Sequence, residues 1–201
     1  MRINSNNNLA FESRFEKYHP YGSGIRDAII EAKRNLTNTK SIGDVSEANE
    51  FANAVDYLLN DGKDDIYMLK PKEDVNPYYC SDVQLYKNGE LVYSFENSRA
   101  MDKERSYCNM VRKYVKDELK QDVSKNKTEG LSRLGDLEDV TDYTYGYNKC
   151  PESLKITREG YQRIRQSLDF TKTTLINLAA EEVYAKLDKL ENEVENVGEK
   201  R

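Results

Sequence analysis

Residues 78–95 read YYCSDVQLYKNGELVYSF, and this stretch encodes the most specific local structure in the chain. Asn88-Gly89 is the dipeptide favoured in a two-residue type I′ turn, because both turn residues must adopt positive φ. β-branched, aliphatic and aromatic residues stand on both sides of it. We therefore predict a β-hairpin with strands over 78–87 and 90–95.

A two-residue turn also sets the register of the hairpin, and the register decides which side chains share a face. The predicted pairs on one face are Lys87 with Glu90, Leu85 with Val92 and Val83 with Ser94; those on the other are Tyr86 with Leu91, Gln84 with Tyr93 and Asp82 with Phe95. The first face is aliphatic near the turn and should cover a helix. The second is rich in tyrosine, and it either meets another element, which we favour, or stays partly open as a contact surface.

Helical patterns surround the hairpin. Before it, apolar stripes predict one helix from Ser23-Gly24 to Leu36, and a second that ends at Leu59 and is capped by Asp44, with Glu47 three residues on, or by Ser46. A β-prone run over 65–69 follows the second helix. After the hairpin, Asn97 or Ser98 should cap a third helix that runs to about 121.

These patterns predict an α+β fold in which helices pack on a small antiparallel three-stranded sheet in the order α-α-β-β-β-α. The expected organisation is a polar, flexible tail over 1–22, an α+β domain over 23–121, a wrapping linker over 122–152 and a long C-terminal helix over 153–201. At about 40 residues that helix would reach roughly 60 Å, longer than the domain can cover. It must therefore protrude, fold back or find a partner.

Composition narrows the function classes. The net charge of -5 argues against a general attraction to nucleic acid or to anionic lipid. No apolar stretch is long enough for a membrane span, and no signal-peptide core opens the chain. The three cysteines are odd in number and contain no C-x-x-C pair, which fits a reducing compartment. We expect a cytoplasmic protein with no membrane association, no metal and no cofactor.

Non-enzymatic binding is the leading functional hypothesis. A seam of alternating four- and three-residue spacings runs along the last helix, and tyrosines at alternate positions form a potential adhesive strip. The candidate partner-binding residues are Tyr86, Tyr93, Tyr143, Tyr145, Tyr147, Val183, Leu187, Leu190 and Val194. The partner is either another protein or a second copy of this chain, bound through the C-terminal helix. The alternative for the seam is packing on the protein's own body.

RNA binding is the runner-up, because the segment 99–127 is locally basic and offers Arg112, Lys113, Lys116 and Lys120. The element order over 46–121 also resembles that of the double-stranded-RNA-binding domain. That family has a lysine cluster at the start of its second helix and a histidine in the loop between its first two strands. In this chain Asp102 and Glu104 interrupt the position of the lysine cluster, and the loop between the first two predicted strands contains no histidine. We therefore carry over no site residue from that family.

A small hydrolase-like enzyme is the third hypothesis. Cys80 or Cys108 with His19, the only histidine, can be written as a nucleophile and a base. Nothing in their spacing selects this arrangement, and Cys108 falls on the apolar stripe of its helix. We predict no catalytic residues.

Overall fold

The α+β class is confirmed by the computed structural model, which describes residues 13–18, 24–72, 82–96, 102–125, 127–134 and 158–196, with side chains in the last range described for 163 and for 166–195. The strands in these ranges are β1 (Arg14–Glu16), β2 (Ile66–Pro71), β3 (Val83–Lys87) and β4 (Glu90–Phe95). The helices are α1 (Ile25–Leu36), α2 (Ile42–Leu59), α3 (Lys103–Lys113), α4 (129–134) and α5 (Arg158–Asn196).

The sheet has four strands in the order β1-β2-β3-β4, so the predicted count of three is wrong. The additional strand, β1, pairs in parallel with β2 and lies inside the segment that was predicted as a tail. At three residues it is too short to show the alternation that identifies a strand. Two contacts hold β1 against β2. Phe15 is buried with its ring centroid 5.5 Å from that of Tyr67, and the Arg14 amide donates to the Asp65 carbonyl at 2.9 Å.

The predicted hairpin turn is confirmed, since Asn88 and Gly89 have φ of 52° and 82°. The Asn88 side chain also fastens the turn to β2: its Oδ1 accepts from the Ile66 amide, and its Nδ2 donates to Asp65 Oδ1, both at 2.8 Å. Asn88 therefore forms the hairpin turn with its backbone and binds the neighbouring strand with its side chain.

Beyond Leu91 the predicted register is wrong. A β-bulge between Leu85 and Tyr86 shifts the pairing by one residue, so that Leu85 faces Tyr93 and not Val92. The shift turns Tyr93 and Phe95 toward the helices and leaves Ser94 exposed. Because two rings bury more apolar surface than Val92 and Ser94 would, the bulge improves the core. It also separates Tyr86 and Tyr93, which the prediction placed on one face.

The first two helices form where predicted, but α2 begins earlier. Ser41 is extended and its Oγ accepts from the Asp44 amide at 3.4 Å, so Ser41 is the N-cap. The caps predicted at Asp44 and Ser46 are wrong, because both residues already lie in the helix; the Asp44 carboxylate accepts instead from Thr39 Oγ1 at 3.2 Å.

The third helix begins later than predicted. Asp102 is extended and α3 starts at Lys103, so neither Asn97 nor Ser98 is its cap. The helix continues as one π-helical turn over Tyr114–Glu118. Lys120, with φ of 55°, follows this turn.

The elements stack in layers. α3 packs on β3 and β4, α1 and α2 pack on α3, and α5 packs on α1 and α2. One contiguous core joins these layers, including Tyr67 and Leu85 from the sheet and Leu187 from α5. α4 lies directly on α5, since a Cβ on Gly130 would meet the backbone of Ala179 at 2.9–3.0 Å. The other face of the sheet, opposite the helices, carries Met68 and Tyr86.

Candidate protein-binding surfaces

The predicted seam on α5 is part of the protein's own core. Val183, Leu187, Leu190 and Val194 are all buried where α5 packs on α1 and α2. The structure therefore favours the alternative reading of this spacing, which is packing on the body. A partner that reached these residues would have to displace α1 and α2.

Charges reinforce this docking. Lys33 of α1 lies 2.6 Å from Asp188 Oδ1 and 2.8 Å from Glu191 Oε2, and Arg26 lies 2.7 Å from Glu195 Oε1. Burial alone lowers the pKa of Lys33, but the hydrogen bonds to the two carboxylates outweigh it and the pKa is raised above its ordinary value. Sequence reasoning missed this network, because the basic and acidic partners are separated by more than 150 residues.

The N-terminal half of α5 differs from its C-terminal half. From residue 163 to Thr174, the described side chains are exposed or half-buried and none is buried; buried positions begin at Ile176. Phe170 is 75% exposed, and Leu178, just past the transition, is 42% exposed. Residues 158–174 would extend about 25 Å as a helix.

A second apolar seam runs along this half. Leu168 and Leu175 are seven residues apart, and Thr171 and Leu178 continue the four- and three-residue alternation between and after them. We call these four residues the N-terminal seam. It lies about 100° around the helix from the buried seam, which runs through Ile176 and Val183. Thr171 and Leu178 of this second stripe are exposed, whereas Leu168 and Leu175 are half-buried and Leu175 packs against the edge of the core.

The open face of the sheet is the second candidate surface. Ile66 and Met68 of β2 and Tyr86 of β3 line a shallow groove of about 430 Å³. The Lys70 ammonium lies 4.3 Å from the centre of the Tyr86 ring, and the Tyr86 hydroxyl donates to Gln84 Oε1 at 3.1 Å. The Tyr86 ring and hydroxyl thus already have contacts within the sheet.

Tyr93, the other described tyrosine of the prediction, does not join this face. Tyr93 points to the helices, where its ring centroid is 6.0 Å from that of Tyr114. Tyr143, Tyr145 and Tyr147 lie outside the described residues. Of the predicted tyrosines, the structure therefore separates Tyr86 and Tyr93, which lie on opposite faces of the sheet.

The basic residues proposed for RNA divide into two groups. Arg112 is only 19% exposed, and its guanidinium lies 2.7 Å from Glu50 and 3.5 Å from Glu47. Lys113, Lys116 and Lys120 are exposed, with the Lys113 ammonium 5.0 Å from the Phe95 ring centre. RNA binding called for all four on one open surface, and the pairing of Arg112 across α2 and α3 does not meet that requirement.

The Cys108 thiol is not placed as a nucleophile. It borders a cleft of about 170 Å³ between α1, α2 and α3, but its Sγ donates to the Ala28 carbonyl at 3.4 Å. Burial raises its pKa to about 12, which keeps the thiol protonated at neutral pH. Cys80 and His19 lie outside the described residues. Among the residues that are described, no group of His, Cys, Asp and Glu is arranged to hold a metal ion.

No helix in the described part of the chain combines the length and apolar character needed to cross a bilayer. Comparison with protein families, with curated proteins and with solved structures found no match for this chain.

Proposed function

We propose that this is a non-enzymatic binding protein that engages another protein through the N-terminal half of α5. The observation that carries the proposal is the change of exposure along one helix. From Ile176 onward most apolar side chains of α5 are buried against the body, with Leu178 and Tyr184 among the exposed exceptions; before Ile176 none of the described side chains is buried, and Phe170 is 75% exposed.

The low intrinsic stability of the N-terminal half of α5 supports the proposal. A helix of about 17 residues that lacks tertiary packing is marginal in water, because helical stability in proteins comes mostly from packing one apolar face. Full burial of a Leu or Phe side chain stabilises by roughly 1.5–3 kcal/mol. Phe170 and Leu178 lie about 80° apart around the helix, so a partner that covers both would stabilise the segment as it binds.

Tyr86 and the open sheet face are left out of the proposed surface. The layer of α1, α2 and α3 lies between the sheet and α5, so one small partner does not reach both. The ring of Tyr86 is already in contact with Lys70.

The test is site-specific photo-crosslinking in cells that make the protein. A photoreactive phenylalanine analogue replaces Phe170 or Leu178 in the full chain, and Asn192, which is exposed on the same helix beyond the seam, serves as the matched control. We expect the same partner protein to be captured from positions 170 and 178 and not from 192. The purified partner should then bind the full chain, and F170E/L178E should weaken binding at least tenfold while N192E leaves it unchanged.

Three results would overturn the proposal. One is the absence of any adduct at positions 170 and 178. Another is the same set of adducts at all three positions. The third is a crosslink from the seam to residues 135–157 of the same chain, which would show that the surface is covered from within.

A further inference from the structure

One side of the N-terminal half of α5 points directly away from the body. Thr174 and the buried Val183 are nine residues apart, which places them about 180° apart around the helix. Six exposed residues, spaced alternately by four and three positions, follow the side of Thr174: Arg163, Ser167, Phe170, Thr174, Asn177 and Glu181. We call these six residues the outward face.

The charges of the outward face lie at its two ends. Arg163 stands at one end and Glu181 at the other, and neither side chain forms an ion pair or a hydrogen bond with another described residue. The four residues between them are uncharged, and Phe170 is 75% exposed. The Thr174 hydroxyl donates to the Phe170 carbonyl at 3.0 Å, so Thr174 needs no polar partner across an interface. The face therefore runs from a positive end through an uncharged middle to a negative end.

This order of charges is self-complementary when two copies pair antiparallel. With a two-fold axis level with position 172, each residue of the face meets a different residue of the second copy, and every pair occurs twice. The pairs are Arg163 with Glu181, Ser167 with Asn177 and Phe170 with Thr174. The first is an ion pair, the second joins two hydrogen-bonding side chains, and the third covers the exposed ring. Parallel pairing would instead set like charges against each other at both ends.

The described body does not obstruct this pairing. Because the outward face is opposite the side of α5 that packs on α1 and α2, the two bodies would lie on the outer sides of the helix pair. The acidic residues of α5 that bind α1 begin at Asp188, beyond the end of the outward face at Glu181. Two copies can therefore pair without breaking the contacts that dock α5 on its own body.

We infer that the partner of the N-terminal half of α5 is a second copy of this chain, and that the two copies pair antiparallel through their outward faces. This inference rests on the proposed function and names its partner. The Phe170 rings supply the apolar contact, and the two ion pairs of Arg163 with Glu181 fix the orientation. Six residues from each copy are far fewer than the roughly 20–30 a side of a stable interface, so the dimer dissociates on dilution.

Sedimentation equilibrium of the full chain over a range of concentrations measures the dissociation constant of this dimer, and charge reversal tests its geometry. R163E and E181R each replace two ion pairs with two like-charge pairs, so each should raise the dissociation constant at least about tenfold. The double variant R163E/E181R restores both ion pairs with their charges exchanged, and its dissociation constant should return to within about threefold of the original.

The matched controls are K125E and E90R. Lys125 and Glu90 are exposed residues outside α5, and the two substitutions change the net charge as R163E and E181R do. Both should leave the dissociation constant unchanged.

The inference fails if the chain stays monomeric at every concentration, or if the single reversals leave the dissociation constant unchanged. It also fails if the double variant dimerises no better than the single variants, or if the controls weaken the dimer as much as they do. Photo-crosslinking at positions 170 and 178 separates this inference from the proposed function. An adduct of two copies of this chain supports both, whereas a different captured protein together with a monomeric chain refutes only this inference and leaves the proposed function standing.

Discussion

Leu187→Ala should destabilise the protein strongly, because Leu187 is 0% exposed in the interface of α5 with α1 and α2. Its neighbours along the seam, Val183 and Leu190, are also buried, so the surrounding side chains have little freedom to collapse into the space left by the missing carbons. Buried Leu→Ala changes cost about 2–5 kcal/mol, and we expect about 3 kcal/mol here.

The assay is urea denaturation of the full chain followed by circular dichroism at 222 nm. With an m-value of about 2 kcal/mol per molar urea, a loss of 3 kcal/mol lowers the midpoint by roughly 1.5 M. Leu178→Ala is the matched control on the same helix; since Leu178 is 42% exposed, its loss should stay near 0.5 kcal/mol. If L187A costs less than about 1 kcal/mol, or if the two variants cost the same, α5 does not dock on the body as described and the buried seam becomes available to a partner.

Three further predictions test single contacts. Gly130→Ala should lower the free energy of unfolding by about 1–3 kcal/mol, measured by thermal denaturation, because the added Cβ meets Ala179 backbone that cannot easily move. Cys108 is tested in a variant whose other two cysteines are serine: it should react with a disulfide reagent at least about tenfold more slowly than in urea-unfolded protein, and should stay slow to pH 10, because desolvation raises its pKa to about 12; fast reaction at pH 8 would contradict the raised pKa of this half-buried thiol. The pKa of Lys33 is raised in the folded protein, so the stability that Lys33 contributes should be complete below the unfolded-state pKa of about 10.4 and should be lost as the pH rises from there through the raised folded-state pKa. In Glu191→Gln the free energy of unfolding should decline less steeply over this pH range, and an unchanged pH profile would contradict the ion pair.

The sequence predicts the features that depend on neighbouring residues, and it misses those that depend on tertiary packing. The Asn88-Gly89 turn and the stripe of α1 are local patterns, and both are confirmed. β1 and the bulge at Leu85 have no local pattern. Three residues cannot display a period, and the bulge arises because the rings of Tyr93 and Phe95 gain more by facing α3 than strict alternation allows. These features follow from tertiary burial, which a reading of spacing alone does not weigh.

The sequence and the structure point to different parts of α5 as the candidate binding surface. Spacing identified the regular seam from Val183 to Val194, and the structure places those residues in the core. A strongly regular seam is more often a buried one, since core packing constrains every position along it. The less regular N-terminal seam, with Thr171 among its leucines, is exposed at Thr171 and Leu178 and half-buried at Leu168 and Leu175. The docked half is marked by acidic residues, Asp188, Glu191 and Glu195, that pair with Lys33 and Arg26 of α1.

In the function proposed here, the angle between the two seams would allow α5 to dock on the body and to bind a partner at the same time. A single stripe shared by body and partner would force a choice between folding and binding, and an incoming helix would have to displace α1 and α2. With the N-terminal seam rotated by about 100° and displaced toward the start of the helix, a partner can approach without disturbing Ile176 or Val183. The docked half, clamped by Lys33 and Arg26, then acts as a rigid base that limits the loss of conformational freedom on binding. Loss of that clamp in K33M should therefore weaken binding of the partner protein captured from positions 170 and 178, even though Lys33 lies far from these positions in sequence. A K33M variant that binds this partner normally would show that the two halves of α5 act independently.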